Sequence, residues 1–473
     1  MRQTPVPIGG SPVTTAESVE VTNPFTGAVI GRVPLCGADE VDAACTAAAA
    51  ALAREDFRQH ARARVLERAA ALLRDRVDHL AASITAESGK PIRTARAEAA
   101  RCVDTFTFAA VEARRLSGDM VPMAASETGA GRIGFALRVP IGVVAAITPF
   151  NFPLNLVAHK VAPAIAAGCP VVLKPAPQTP LTALALYDLL IDAGLPVDWM
   201  SVVTDGGREA AVPLVTHRVP RMVTFTGSVD VGWSIAASAP RKKVALELGS
   251  NSPVIVEPDA DVATVAAKVA AGGFGFAGQS CIAVQRVLVH RDVHADLRDA
   301  LHQAADRLVV GDPADETTDV GPLIRPRECD RIVGWIEEAT ARGATVVTGG
   351  KVGEHGILLP TLVDEPPRDA RLWSKEVFGP VVALAPYDDF EEALDAANDS
   401  DYGLHAGVFT NDLAKAMRAV RRLDFGGVLV NDVPTFRADQ QPYGGVRDAG
   451  NTREGPAYAV EEMTELRFVS LPA

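Results

Sequence analysis

Cys281 closes the tetrapeptide Gly278-Gln279-Ser280-Cys281, just after a glycine-rich run, Gly272-Gly273-Phe274-Gly275-Phe276-Ala277. A thiol in such a turn meets exposed backbone amides and little side-chain crowding, which suits a thiolate nucleophile. Taken alone, a cysteine is more often a buried structural residue. The same run spells a G-x-G-x-x-G over residues 273–278. A dinucleotide fingerprint needs a strand before it and a helix opening after it, whereas an alanine-rich helical segment, 261–271, precedes this one.

Four further motifs carry chemistry. Glu247 lies inside Ala245-Leu246-Glu247-Leu248-Gly249, an apolar, strand-like run. Burial raises a carboxyl's proton affinity and fits it to act as a base, although a salt-bridged strand-end Glu would read the same way. Asn151 sits in Thr148-Pro149-Phe150-Asn151-Phe152-Pro153, directly after the apolar strand 143–147. At the carboxyl end of a parallel strand it faces a ligand crevice, where its amide can meet a developing oxyanion; an Asn in a Pro-bounded turn is the plainer alternative. Lys174 ends Val172-Leu173-Lys174-Pro175 and faces the same crevice. Phe225-Thr226-Gly227-Ser228-Val229-Asp230-Val231-Gly232 runs from a strand through a Gly-Ser turn into a helix whose first amides can hold a phosphate. His290-Arg291-Asp292-Val293-His294 lacks the Glu of H-E-x-x-H and reads as surface, so no metal site is expected.

The elements that must position these residues are α/β. Helices are predicted over 38–53, 61–86 and 94–116, with a weakly alternating Gly/Ser-rich stretch at 117–134. Strands and helices then alternate through 143–147, 155–167, 171–174, 181–193, 200–204, 209–216 and 221–226, and on to 243–248. This spacing gives β-α-β units and a parallel sheet. A second α/β series starts at 253–256 and runs to 413–421, and 463–470 looks like a lone strand. At 473 residues, about 150 per domain suggests roughly three domains. Hydrophobic residues are 48% and charged residues 22%, the balance of a globular chain, and the net charge of −13 disfavours binding nucleic acid or an anionic membrane through a basic face. The first twelve residues do not read as a secretory signal, and no apolar stretch is long enough to span a bilayer. Six scattered cysteines without a Cys-x-x-Cys pair read as reduced thiols, hence a cytoplasmic location.

Asn151, Lys174, residues 227–232, Glu247, Cys281, Glu376-Val377-Phe378-Gly379-Pro380 and Pro442-Tyr443-Gly444-Gly445 resemble, in order, the motif series of the aldehyde dehydrogenase superfamily. Glu247 and Cys281 are 281 − 247 = 34 residues apart, which fits the family arrangement. The resemblance runs from about Asn23 to Arg467. It implies a Rossmann-like NAD(P) domain (1–117 and 138–249), an α/β catalytic domain (250–455) and a small β oligomerisation element (118–137 and 456–473), with a homodimer or homotetramer expected. It implies that Cys281 attacks the aldehyde, that Asn151 and the Cys281 amide hold the oxyanion, and that Glu247 activates the water that hydrolyses the thioester. Lys174 would meet the adenosine ribose, and Gly227, Ser228 and Gly232 the pyrophosphate. Glu376 would hold the nicotinamide ribose, with Phe378 beside the ring. Thr148, Pro149, Phe150, Pro177 and Leu248 fall along the cofactor as well, and Asn431 supports the wall of the site.

Departures from the family pattern shape the finer expectations. NAD-preferring members carry Glu three residues after the strand-end Lys; here Pro177 neither bonds the 2′-hydroxyl nor repels a 2′-phosphate. NADP is therefore expected to be accepted alongside NAD and even preferred, with Lys174 and Arg208 near the phosphate. Ser250 replaces the second Gly of L-E-L-G-G, a poor choice if that position needs positive φ. Arg447 replaces a common Lys. The wording at 278–286 and 435–443 looks most like the lactaldehyde, non-phosphorylating glyceraldehyde-3-phosphate and phosphonoacetaldehyde dehydrogenase branch. A small polar or anionic aldehyde is expected, with Arg101 or Arg437 meeting the anion and Phe152 lining the site. CoA-acylating chemistry, or a non-catalytic protein retaining the fold, are the alternatives.

Overall fold

The computed structural model describes residues 2–473. Five parallel strands form the first sheet, in the order Lys243–Glu247, Pro220–Thr226, Val143–Ile147, Val171–Lys174, Met200–Val202. Strand Val143–Ile147 is buried along its whole length, as expected for a strand covered by helices on both faces. From it the chain steps outward on one side, then returns to build the other side. The carboxyl ends of Val143–Ile147 and Pro220–Thr226 are therefore adjacent at a topological switch point, where an open sheet leaves a ligand crevice.

The second sheet has seven strands: Thr345–Thr348, Thr361–Asp364, Val381–Tyr387, Val284–His290, Ser252–Val256, His405–Phe409 and Gly427–Val430. All pairs are parallel except Thr345–Thr348 with Thr361–Asp364. A third, antiparallel sheet places Arg132–Pro140 between Asp119–Val121 and Thr464–Pro472. One apolar core gathers residues between Val6 and Leu248, and a second gathers residues between Val254 and Val433. Only residues 248–251 separate the last strand of the first sheet from the first strand of the second.

Several expectations need correction. The predicted helix 61–86 is two helices, Gln59–Asp75 and Val77–Ser88, broken at Arg76 (φ −113°, ψ 15°). The break lets Leu66, Leu73, Leu80 and Ile84 all reach the core. Strands His405–Phe409 and Gly427–Val430 escaped the sequence reading because no clean alternation marks them. Helix Pro456–Glu462 precedes the C-terminal strand, and Val460 and Met463 join the first core. His294 is buried against Asp364 at 2.9 Å and is not a surface residue. Ser250 does not have positive φ, so the serine is unstrained there.

Candidate active site

The two sheets meet over a cleft of about 600 Å³. Pro149, Phe150, Asn151, Gly227, Ser228, Leu248, Cys281, Glu376 and Phe378 line it. Sequence reasoning singled out all nine, and the topology explains their meeting: each follows the carboxyl end of a strand or a loop facing the switch point. No helix among the described residues is long and apolar enough to cross a membrane, and no three His, Cys, Asp or Glu side chains among them gather as a metal site.

The loop that carries Cys281 is held under strain. Helix Val262–Phe274 ends in it, and Phe276, Ala277 and Gly278 take φ of 51°, 51° and 67° in succession. Each non-glycine residue there costs about 1–3 kcal/mol, which the surroundings must offset. A Cβ on Gly278 would stand 2.0 Å from the Gly379 carbonyl oxygen, so this glycine serves close packing and not a phosphate. Gln279 clamps the loop: its Oε1 accepts from the Ile324 amide at 2.9 Å, and its carbonyl accepts from Asn151 Nδ2 at 3.0 Å. That bond uses one of the two Asn151 N–H groups and fixes the amide, leaving the other for an oxyanion. Lys90, fully buried and paired with Glu98, lies 3.7 Å from the Phe152 ring centroid and 4.5 Å from that of Phe276. Glu98 also accepts from the Leu154 and Asn155 amides at 2.9 and 3.1 Å, tying the Asn151 and Cys281 loops to one ion pair. Neither Gln279 nor the Lys90–Glu98 pair was found from sequence; a lone Lys and a Glu eight residues on carry no signal of their meeting.

Cys281 is the one cysteine of six that is not fully buried. Burial in its pocket pushes the thiol up to about 12, against which a Tyr443 hydrogen bond and the Arg437 charge pull down. Tyr443 Oη stands 2.9 Å from Cys281 Sγ. Glu247 ends its strand, 3% exposed, with neither carboxylate oxygen hydrogen-bonded. Burial, then the neighbouring Glu454 charge, push its carboxyl well above the usual range. Glu454 itself ion-pairs with Lys160 at 3.2 Å and Arg437 at 2.9 Å; these cations outweigh burial and hold it well below that range. A Cβ on Gly444 would lie 2.7 Å from Glu247 Oε1, so the glycine leaves the carboxylate room to move.

The cofactor end fits a dinucleotide. Helix Val229–Ser238 opens behind Gly227, and its N-cap Ser228 makes no capping bond, leaving its hydroxyl and the first amides for a phosphate. Cβ atoms on Gly227 and Gly232 would meet Phe225 at 2.4 Å and Leu248 at 2.3 Å. Glu376 accepts from the Ser250 amide at 3.0 Å, and burial raises its carboxyl to about 7. Phe378, at φ 49°, stands edge-on to Phe150 with centroids 6.0 Å apart. Thr148 is buried beside Lys174, whose carbonyl accepts from the Thr148 amide. Lys174 Nζ lies 2.7 Å from Asp205, a buried partner the sequence did not reveal. Pro177 is half-buried next to Gln178, which lines the cleft with Arg325, Arg327 and Arg331. Arg208 is exposed and lines a neighbouring pocket of about 270 Å³, which shares Asp230 with the cleft. Asn431, at φ 55°, accepts from the Thr410 amide at 3.0 Å and so pins a strand end.

The two arginines expected to await an anion are already paired. Arg101 donates to Asp439 at 2.7 and 3.1 Å, and Asp439 also accepts from Asn155 and His159. Arg437 pairs with Glu454, its side chain 7% exposed, and its Nε has no partner.

Residues 13–469 match the family model described as "Aldehyde dehydrogenase family". The chain is 44% identical over 464 residues to a 3-sulfolactaldehyde dehydrogenase of Priestia aryabhattai, covering 98% of this chain and 97% of the relative. Among solved structures, aldehyde dehydrogenase 21 of Physcomitrella patens with the reaction product succinate superposes at TM-score 0.95 and 40% identity, covering 100% of this chain and 98% of that one. Glyceraldehyde-3-phosphate dehydrogenase GapN of Methanocaldococcus jannaschii with NADP does so at TM-score 0.93 and 35% identity, covering 97% and 100%. These relatives fit the branch that the local wording indicated. With matches of this extent over the whole length, the chain belongs to the aldehyde dehydrogenase family and oxidises an aldehyde to a carboxylic acid with NAD(P).

Proposed function

We propose that Cys281, Asn151 and Glu247 perform this oxidation on a small polar or anionic aldehyde, with NADP used at least as readily as NAD. The observation that carries the reading is their convergence: a partly exposed sulfur, a fixed amide and an unpaired buried carboxyl. The Cys281 thiolate adds to the carbonyl carbon, and the free Asn151 N–H, with the Cys281 amide, takes the charge developing on oxygen. Gly227, Ser228, Glu376 and Phe378 would hold NAD(P), which would supply the acceptor for the hydride that leaves the carbon as that oxygen's charge collapses. Glu247 then removes a proton from the water attacking the thioester, which releases the acid and returns the sulfur. A buried base poised for water argues against CoA as acyl acceptor, and product analysis with and without CoA separates the two.

The substrate class is supported by the 3-sulfolactaldehyde dehydrogenase relative and by the succinate in the aldehyde dehydrogenase 21 structure, both compounds with an anionic end. In this chain Arg437 Nε and His159 Nδ1 are buried without partners, and Arg101 shares Asp439 with His159. These groups lie outside the cleft lining and are held by Asp439 and Glu454, so an anionic end would have to draw Arg101 or Arg437 away from its carboxylate. The Lys174–Asp205 pair already offsets the lysine's charge, so a 2′-phosphate would lean on Arg208. Exposed Met120, Ile133, Leu137, Leu466, Phe468 and Leu471 lie on the antiparallel sheet. An open apolar edge of this kind is a pairing surface, so a homodimer or homotetramer follows. Six free thiols suit a reducing compartment, and we place the enzyme in the cytoplasm.

On a panel of short aldehydes, kcat/KM is expected to be at least tenfold higher for carboxylate, sulfonate or phosphate ends than for neutral analogues; equal values would refute the anionic class. Glu247→Gln is expected to lower kcat by about 10²–10⁴-fold while leaving the initial burst of reduced cofactor. Because burial raises the Glu247 carboxyl, its base form grows as pH rises, so wild-type kcat should climb with pH more steeply than the variant's. Arg208→Ala should cost about tenfold in kcat/KM with NADP, as for one lost charge-assisted bond, and leave NAD unchanged; a wild type strongly favouring NAD would overturn the cofactor reading. Phe468→Glu should lower the mass measured by light scattering to that of a smaller assembly.

A further inference from the structure

The residue beside the nucleophile that the proposed chemistry does not use is Tyr443. Its phenol is confined on every side. The ring is 2% exposed, packed with Ile282, Leu404 and Ala449 in a small apolar cluster that Cys281 touches. The Arg437 guanidinium lies 3.7 Å from the ring centroid, and His405 stands at 5.0 Å in an edge-on contact. Its backbone exchanges both hydrogen bonds with Glu454. Held this way, the hydroxyl has the Cys281 sulfur, at 2.9 Å, as its partner.

We propose that Tyr443 is a catalytic residue whose hydroxyl donates to the Cys281 thiolate, holding the sulfur in place and setting the pH at which it becomes nucleophilic. It rests on the reading of Cys281 as nucleophile and deepens it. The thiol meets burial that disfavours charge, the carboxyls of Glu376 and Glu247 that oppose a negative sulfur, and only Arg437 and the Tyr443 hydroxyl that favour it. The phenol keeps its proton: burial, and next the sulfur itself, push Tyr443 above its ordinary range. It is thus a donor at every working pH, and a hydrogen bond to an anion is the stronger kind. When the sulfur attacks, negative charge passes to the carbonyl oxygen. The phenol then keeps its proton and its position, ready for the returning thiolate after hydrolysis.

Tyr443→Phe removes one oxygen and keeps the ring under Arg437. The apolar cluster around the ring is left intact, so the variant should fold, which an unchanged thermal midpoint verifies. The measurement is iodoacetamide alkylation of the Cys281 peptide, followed by mass spectrometry from pH 6 to the highest pH at which the protein stays folded, with Cys281→Ser as baseline. Loss of a charge-assisted bond should raise the thiol by about one pH unit. Thiolate falls about tenfold below the plateau while each thiolate becomes about threefold more reactive. The variant should therefore react about threefold more slowly throughout this range, because the thiol of both proteins titrates near or above its upper end. Superimposed profiles, or a shift to lower pH, would overturn the proposal. Turnover by Cys281→Ser tests the nucleophile itself, so the two failures are distinguishable.

Discussion

The Arg437–Glu454 ion pair, closed off from solvent close to Cys281, sets the electrostatics of everything around it. Two buried carboxyls, Glu247 and Glu454, share this region, and burial makes it costly for both to ionise. Lys160 and Arg437 decide which one does: Glu454 stays an anion and Glu247 holds a proton well above the usual carboxyl range. The same guanidinium covers the Tyr443 ring and pulls down on the Cys281 thiol. An interior that is costly for isolated charge thus contains the Glu247 carboxyl, the Cys281 thiol and their counter-charges in one connected group. Removing one partner would leave another uncompensated.

The backbone is arranged to hold these groups and not to relax around them. Phe276, Ala277, Phe378 and Asn431 all adopt positive φ without being glycine. Three of the four lie in loops that carry or face the nucleophile or the cofactor cleft. The Lys90–Glu98 pair, wedged between Phe152 and Phe276, joins the loop of Asn151 to that of Cys281. Relative placement of amide and sulfur therefore depends on this buried ion pair. A site built this way starts close to its reactive geometry.

Much of this was legible in the residues. Continuous apolar runs such as Val143–Ile147 marked buried parallel strands, strand-end positions marked Asn151 and Lys174 as crevice residues, and Glu247 stood out as a carboxylate inside an apolar run. What the sequence hid were partnerships between distant positions. Asp205 beside Lys174, Glu454 beside Arg437 and Asp439 beside Arg101 are ordinary acidic residues until the fold brings them together. Consequently Arg101 and Arg437 read as waiting cations when each is already paired. The break at Arg76 was hidden for a different reason: the apolar period continues across it, and tertiary packing alone decides where the helix turns.

The proposed chemistry stands or falls with a covalent bond between the substrate carbon and the sulfur of Cys281. The most direct measurement is mass spectrometry of Glu247→Gln quenched during turnover with NAD(P) and its preferred aldehyde. An acyl group, two hydrogens lighter than the added aldehyde, is expected on the peptide containing Cys281. Steady oxidation with no adduct on that peptide, or with the adduct on another residue, would contradict it.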